Sequence, residues 1–180
     1  MNHLQLAIFE VIKSILGNEF INNSPKDNED SRPIIHNSAI RYGILNYVAK
    51  FSLANDDYLI TKKCFEHLEK QNLITAKGLL RAKKGSRHKF TFEHPVPSNV
   101  IGDFLYESKN DDETMLKILR ETNCVTVLTY DEDEQLRRSG LGRDMPSNWK
   151  LFRDSPFCRY SECNIEVPTI RIPVYGSLAR

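Results

Sequence analysis

Leu4, Leu6, Ile8, Phe9, Val11, Ile12, Ile15 and Leu16 recur at helical spacing, broken by Glu10 and Lys13. They predict an amphipathic helix over residues 3–16, with Gly17 as its C-terminal stop. Residues 18–36 are rich in Asn, Asp, Ser and Pro and read as a polar connection. Asn37 or Ser38 can cap a second helix, whose apolar face is Ile40, Ile44, Leu45, Tyr47 and Val48. A third helix is expected from about Thr61 to Gln71, with Cys64, Phe65 and Leu68 turned inward.

Beyond this point the rhythm changes from helical to alternating. Leu73-Ile74-Thr75 and Phe90-Thr91-Phe92, with Gly78 and Gly85-Ser86 as turn signals, predict a hairpin. Met115, Leu116, Ile118 and Leu119 mark a short helix over 111–121. The β-branched run from Cys124 to Leu128 is apolar on both faces and predicts a buried strand. Thr129-Tyr130-Asp131-Glu132 is a capping-box sequence for a helix ending near Gly140. In the tail Ile165, Val167, Ile170, Ile172 and Val174 alternate, and Pro168 and Pro173 predict an edge strand. The fold class expected is α+β: a helical part over residues 1–75, then a mixed part over 76–180.

Composition narrows the function classes. The chain has 180 residues, 40% of them hydrophobic and 27% charged, enough for a real core. Its net charge of +1 excludes a polycation that coats nucleic acid indiscriminately, so attraction for phosphate must be local. The four cysteines (Cys64, Cys124, Cys158 and Cys163) form no C-x-x-C pair, so free thiols are expected rather than a zinc site. The first helix lacks a basic head and a small-residue cleavage site. It therefore reads as neither a signal peptide nor a membrane span, and a cytoplasmic protein with no membrane partner is expected.

The candidate chemistry lies at Glu93-His94, which closes the strand-like run Lys89-Phe90-Thr91-Phe92. Helix geometry selects its partner among the acidic residues Asp131 to Glu134. Glu132 is taken by the capping box, whereas Asp133 lies one turn before the core-facing Leu136 and can point back toward Glu93. Phe92-Glu93-His94-Pro95-Val96-Pro97-Ser98, with Gly102 beyond it, is similar to the first signature strand of the HNH endonucleases. The strand and helix from Asn123 to Arg138 resemble the rest of their ββα-metal core. The resemblance spans residues 88–138 and places Asp133 where the family carries Asn or His. It implies metal-dependent phosphodiester hydrolysis, with His94 as general base, Glu93 and Asp133 as ligands of magnesium or manganese, and Asn123 as the orienting residue.

The acid-free stretch of Lys77, Arg81, Lys83, Lys84, Arg87 and Lys89 would hold the nucleic-acid backbone, DNA being expected. Two other readings remain open. Helices at 38–50 and 61–71 followed by a basic hairpin also resemble a winged helix-turn-helix, which implies a non-catalytic DNA-binding regulator. A protein-interaction module, such as an inhibitor or immunity protein, is neutral with respect to composition. Finally, Trp149, Phe152, Phe157 and Tyr160 alternate with Lys150, Arg153 and Arg159. Such a segment either stacks bases or, the preferred reading, seals a core while its cations reach water.

Overall fold

The computed structural model describes residues 1–17, 38–81 and 90–175. Its elements in chain order are α1 (His3–Leu16), α2 (Ser38–Leu53), β1 (Asp57–Ile60), α3 (Lys62–Lys70), β2 (Leu80–Arg81) and β3 (Phe90–Glu93), then α4 (Ser98–Glu107), α5 (Asp112–Thr122), β4 (Thr126–Thr129), α6 (Tyr130–Arg138), α7 (Cys158–Glu162) and β5 (Ile170–Tyr175). The chain is α+β, as the pattern predicts. It groups into two units: Met1–Ser52 with Ser98–Asn123, and Leu53–Pro97 with Cys124–Arg180. The boundary expected at residue 75 falls inside the second unit. Residues 98–123, assigned by the sequence reading to the C-terminal part, group with the N-terminal helices, which they meet at Gly102 against Leu45 and at Asp112 against Lys13.

The first unit contains α1, α2, α4 and α5. Asn2 and Gln5 form a capping box at the start of α1, and the buried Gln5 side chain also donates to the Phe51 carbonyl at 3.3 Å. Ile8, Phe9, Ile12 and Leu16 are the buried stripe of α1, and Ile44, Val48 and Phe51 that of α2. Gly102 lets α4 approach α2 closely, since a Cβ there would stand 3.1 Å from Leu45 Cδ2. Asp111 caps α5 by accepting from the Glu113 and Thr114 amides, and Lys13 pairs with Asp112.

The second unit is built on a five-stranded mixed sheet in the order β2-β5-β1-β4-β3. β1 runs parallel to β4 and antiparallel to β5, and β3 is antiparallel to β4. One face carries Tyr58, Ile60, Phe90, Val127 and Ile172 against Cys64 and Leu68 of α3. The other carries Leu128 against Leu136, Tyr160, Cys163 and Ile165.

Two expectations need correction. Phe90-Thr91-Phe92 pairs with β4, not with residues 73–75. The tight turn is instead Thr75–Leu79, with Gly78 at φ 70° and a bridge from Ile74 to Leu80. β1 lies between α2 and α3 and is the central strand of the sheet, whereas the basic hairpin expected as a wing falls largely on residues 82–89, outside the described residues. The C-terminal strand is not wholly an edge: β2 pairs with it at Val174 and Tyr175. Pro173 stands opposite Asp57 of β1, and β2 begins its pairing one residue later, at Val174.

Candidate functional site

Strand register places the first candidate side chain. Glu93, the last residue of β3, stands opposite Thr126 of β4, and Thr91 opposite Leu128. Opposed residues share a face and side chains alternate. Glu93 therefore projects to the side covered by α6 and α7, while Phe92 goes to the other side and packs edge-on against Tyr58.

Arg159 meets Glu93 there from the short helix α7. Its side chain is 0% exposed and that of Glu93 is 20% exposed. The guanidinium donates from Nε to the Pro95 carbonyl at 2.7 Å and from Nη1 to the Leu141 carbonyl at 2.6 Å. Its Nη2 donates to Glu93 Oε1 and to the His94 carbonyl. A planar five-donor fork suits such a set, because every buried donor needs an acceptor and the charge needs a counter-ion. Arg159 thus fixes the backbone that leaves β3, residues 93–95, to the loop at Leu141.

α6 supplies the second acidic group. Thr129 and Glu132 form the expected capping box, which uses Glu132 and leaves Asp133 and Leu136 as the other buried positions of the helix. Asp133 Oδ2 accepts from Arg137 at 2.6 Å, one turn further on. Burial raises the Glu93 carboxyl above the ordinary glutamate value, Arg159 acts to lower it, the negative charge of Asp133 raises it again and Arg137 lowers it. The structure thus brings Glu93 and Asp133 within electrostatic reach of each other, each paired with an arginine.

The other candidates are more dispersed. His94 is half-buried with its Nε2 enclosed by protein, and its carbonyl serves Arg159. Asn123 is the C-cap of α5 and belongs to the helical unit. Lys77 and Arg81 are exposed, whereas Lys83, Lys84, Arg87 and Lys89 lie outside the described residues. Among the described residues no group of three His, Cys, Asp or Glu side chains is gathered around one point. All four cysteines are free, as expected.

Arg159 is the residue that sequence reading misplaced, since its neighbours predict a cation that reaches water. Nothing in the sequence marks it as buried, because its acceptors are 18 to 66 positions away along the chain. Arg137 was legible in principle, being four residues after Asp133 on a helix. Tyr160 is also fully buried, and its hydroxyl faces Thr126 Oγ1 without hydrogen-bond geometry. Tyr160→Phe is therefore expected to leave unfolding free energy in urea within about 1 kcal/mol of wild type. A larger loss would show that the hydroxyl is satisfied in solution. The chain matches no family model, no curated protein and no solved structure.

Proposed function

We propose that the second unit hydrolyses phosphodiesters in nucleic acid at the Glu93–His94–Asp133 end of the β3–β4–α6 unit. The observation that carries this reading is that Glu93, on the side of β3 covered by α6 and α7, feels the negative charge of the buried Asp133 of α6. Two carboxylates that repel each other are relieved by a cation. Magnesium and manganese are commonly held by one or two carboxylates, with water and substrate phosphate filling the remaining positions. Two carboxylates are donors of the kind such an ion takes, and each arginine contact uses one oxygen of its carboxylate, Oε1 of Glu93 and Oδ2 of Asp133. When bound, the ion would supply charge neutralisation at the scissile phosphate. His94 would accept the proton of the attacking water, which requires its ring to turn out of its enclosed position. Arg137, whose side chain is largely exposed, competes with the cation for Asp133.

Plasmid and RNA cleavage with magnesium or manganese tests this reading. His94→Ala and Asp133→Ala are expected to lower the rate at least about a hundredfold, the scale of a lost general base. Arg137→Gln is expected to tighten manganese binding measured by calorimetry. Cleavage that survives both alanine variants would move the chemistry elsewhere. A second reading is favoured by the four donations of Arg159, which close the cluster as a charge-balanced clamp with no catalytic task. It is the outcome if wild type neither cuts nor binds manganese.

A further inference from the structure

α1 carries more apolar side chains than its own unit buries. Gln5, Phe9, Ile12 and Leu16, at intervals of four, three and four, are turned inward. Leu4, Ile8, Val11 and Ile15 repeat the same intervals one residue earlier. Ile8 lies on the border between the two stripes and is 7% exposed, whereas Leu4 is 48% and Val11 37% exposed, and Ile15 is half-buried. Apolar positions at these intervals form the seam along which one helix packs on another. Among the described residues beyond α1, the large exposed apolar side chains Tyr42, Tyr130, Phe152 and Val167 each stand on a different element or loop. Scattered single residues need no explanation, but a row at seam spacing does.

The flanks of the seam decide what fits it. Gln5 and Ile12 border it on the inner side, Ala7 and Ser14 on the outer side, and none of the four is charged. His3, Glu10 and Lys13 lie further round the helix, and Lys13 is paired with Asp112. A lipid surface attracts helices with Lys or Arg beside the apolar face, and a foreign helix is selected by charges at these flanks. A second copy needs neither, because neutral flanks meet their own kind without repulsion. Antiparallel pairing about an axis between Ala7 and Ile8 sets Leu4 of each copy on Val11 of the other. It also opposes the helix dipoles and puts the small Ala7 where the helices come closest.

We propose that this face of α1 is a self-association surface on which a second copy of the chain docks its own α1, antiparallel, through Leu4, Ala7, Val11 and Ile15. α1 is about 21 Å long, and one seam of that length buries less than the roughly 800 Å² per partner of a stable complex. The dimer is therefore reversible, with a dissociation constant on the order of micromolar to tens of micromolar. It concerns the helical unit and stands whether or not the second unit cuts nucleic acid.

The experiment is sedimentation velocity of the full chain over about 1–500 μM, which brackets that constant. Wild type is expected to pass from monomer to dimer, with little change between low and high salt because no charge borders the seam. Leu4→Gln with Val11→Gln should weaken the dimer at least about a hundredfold, since symmetry removes four apolar side chains from one interface. Ala7→Glu sets each carboxylate near its own copy and should weaken the dimer most at low salt. Leu6→Gln is the control: Leu6 is 45% exposed but lies on the flank of Lys13, so the dimer should be unchanged. Far-UV circular dichroism is expected to stay that of wild type, all four positions being exposed. If the double variant loses helix, Ala7→Glu decides alone. The proposal is overturned by a wild type that stays monomeric throughout, by full dimerisation of either seam variant, or by an equal loss in Leu6→Gln. A monomer that sediments with phosphatidylcholine–phosphatidylserine vesicles would overturn it in favour of a lipid surface.

Discussion

Replacing Arg159 by methionine is expected to lower stability by roughly 3–5 kcal/mol, the usual cost of removing one partner of a buried ion pair. For a chain of this size that is a fall in Tm of about 6–20 °C. The loss has two parts. The Pro95, His94 and Leu141 carbonyls lose their donor, and Glu93 loses its counter-ion while remaining mostly enclosed. A double variant with Glu93→Leu separates them, because it removes the orphaned charge but leaves the carbonyls unserved. It should recover part of the loss and not all of it. Full recovery would mean that the three carbonyl contacts contribute nothing.

The same substitution carries a pH signature. The folded-state pKa of Glu93 is already raised, by burial first, with Arg159 opposing. Between the ordinary glutamate value and the raised one, the folded chain holds a proton that the unfolded chain has lost. The contribution of Glu93 to stability therefore falls as pH rises through that window. Removing Arg159 moves the upper edge of the window higher. Arg159→Met should accordingly be most destabilised near neutrality and regain part of its deficit at about pH 5. Urea titrations of wild type and variant at the two pH values measure this. A deficit that grows on acidification would show that Glu93 stays ionised for another reason.

The elements that were legible in the sequence are those that carry their own signals. α1 begins at His3 and stops at Gly17, and α5 and α6 start after the side chains of Asp111 and Thr129. Caps and helical spacing act over a few residues, so local reading finds them. β1 was missed because four residues are too few to establish an alternation. α4 was missed because Gly102 and the β-branched Val100 and Ile101 lower its local helical preference, which packing then overrides. Strand partners were the least legible. Phe90–Glu93 could pair equally well with residues 73–75 by pattern, and β4 wins through contacts 33 to 39 positions away. At the site, Asp133 was found because the capping box uses Glu132 and thereby leaves one acid facing inward. Arg159 was missed because a fully buried cation is recognisable only from its acceptors, and these come together only when the sheet forms.

Glu132 shows how such a local signal acquires a long-range role. The sequence predicts its capping contact with Thr129, and its Oε2 indeed accepts from the Thr129 amide at 2.8 Å and hydroxyl at 2.7 Å. The same oxygen also accepts from the hydroxyl of Thr61, at 3.0 Å. Thr61 is itself the N-cap of α3, accepting from the Cys64 amide, and its own amide donates to the Val127 carbonyl of β4. One buried carboxylate oxygen therefore ties the starts of two helices together where the parallel strands β1 and β4 end. Glu132→Ala is expected to cost roughly 2–4 kcal/mol, combining a lost cap with buried donors left unserved. Glu132→Gln retains an acceptor oxygen and should cost about 1 kcal/mol. Thr61→Val removes one arm of the link and the α3 cap. Because Glu132→Ala and Thr61→Val break one shared hydrogen bond, their double variant should be less destabilised than the sum of the singles, by roughly 0.5–1.5 kcal/mol. Urea unfolding of the four proteins at one pH measures the coupling. Strict additivity would mean that the two helix starts are capped independently and that the bond between Thr61 and Glu132 adds nothing to the fold.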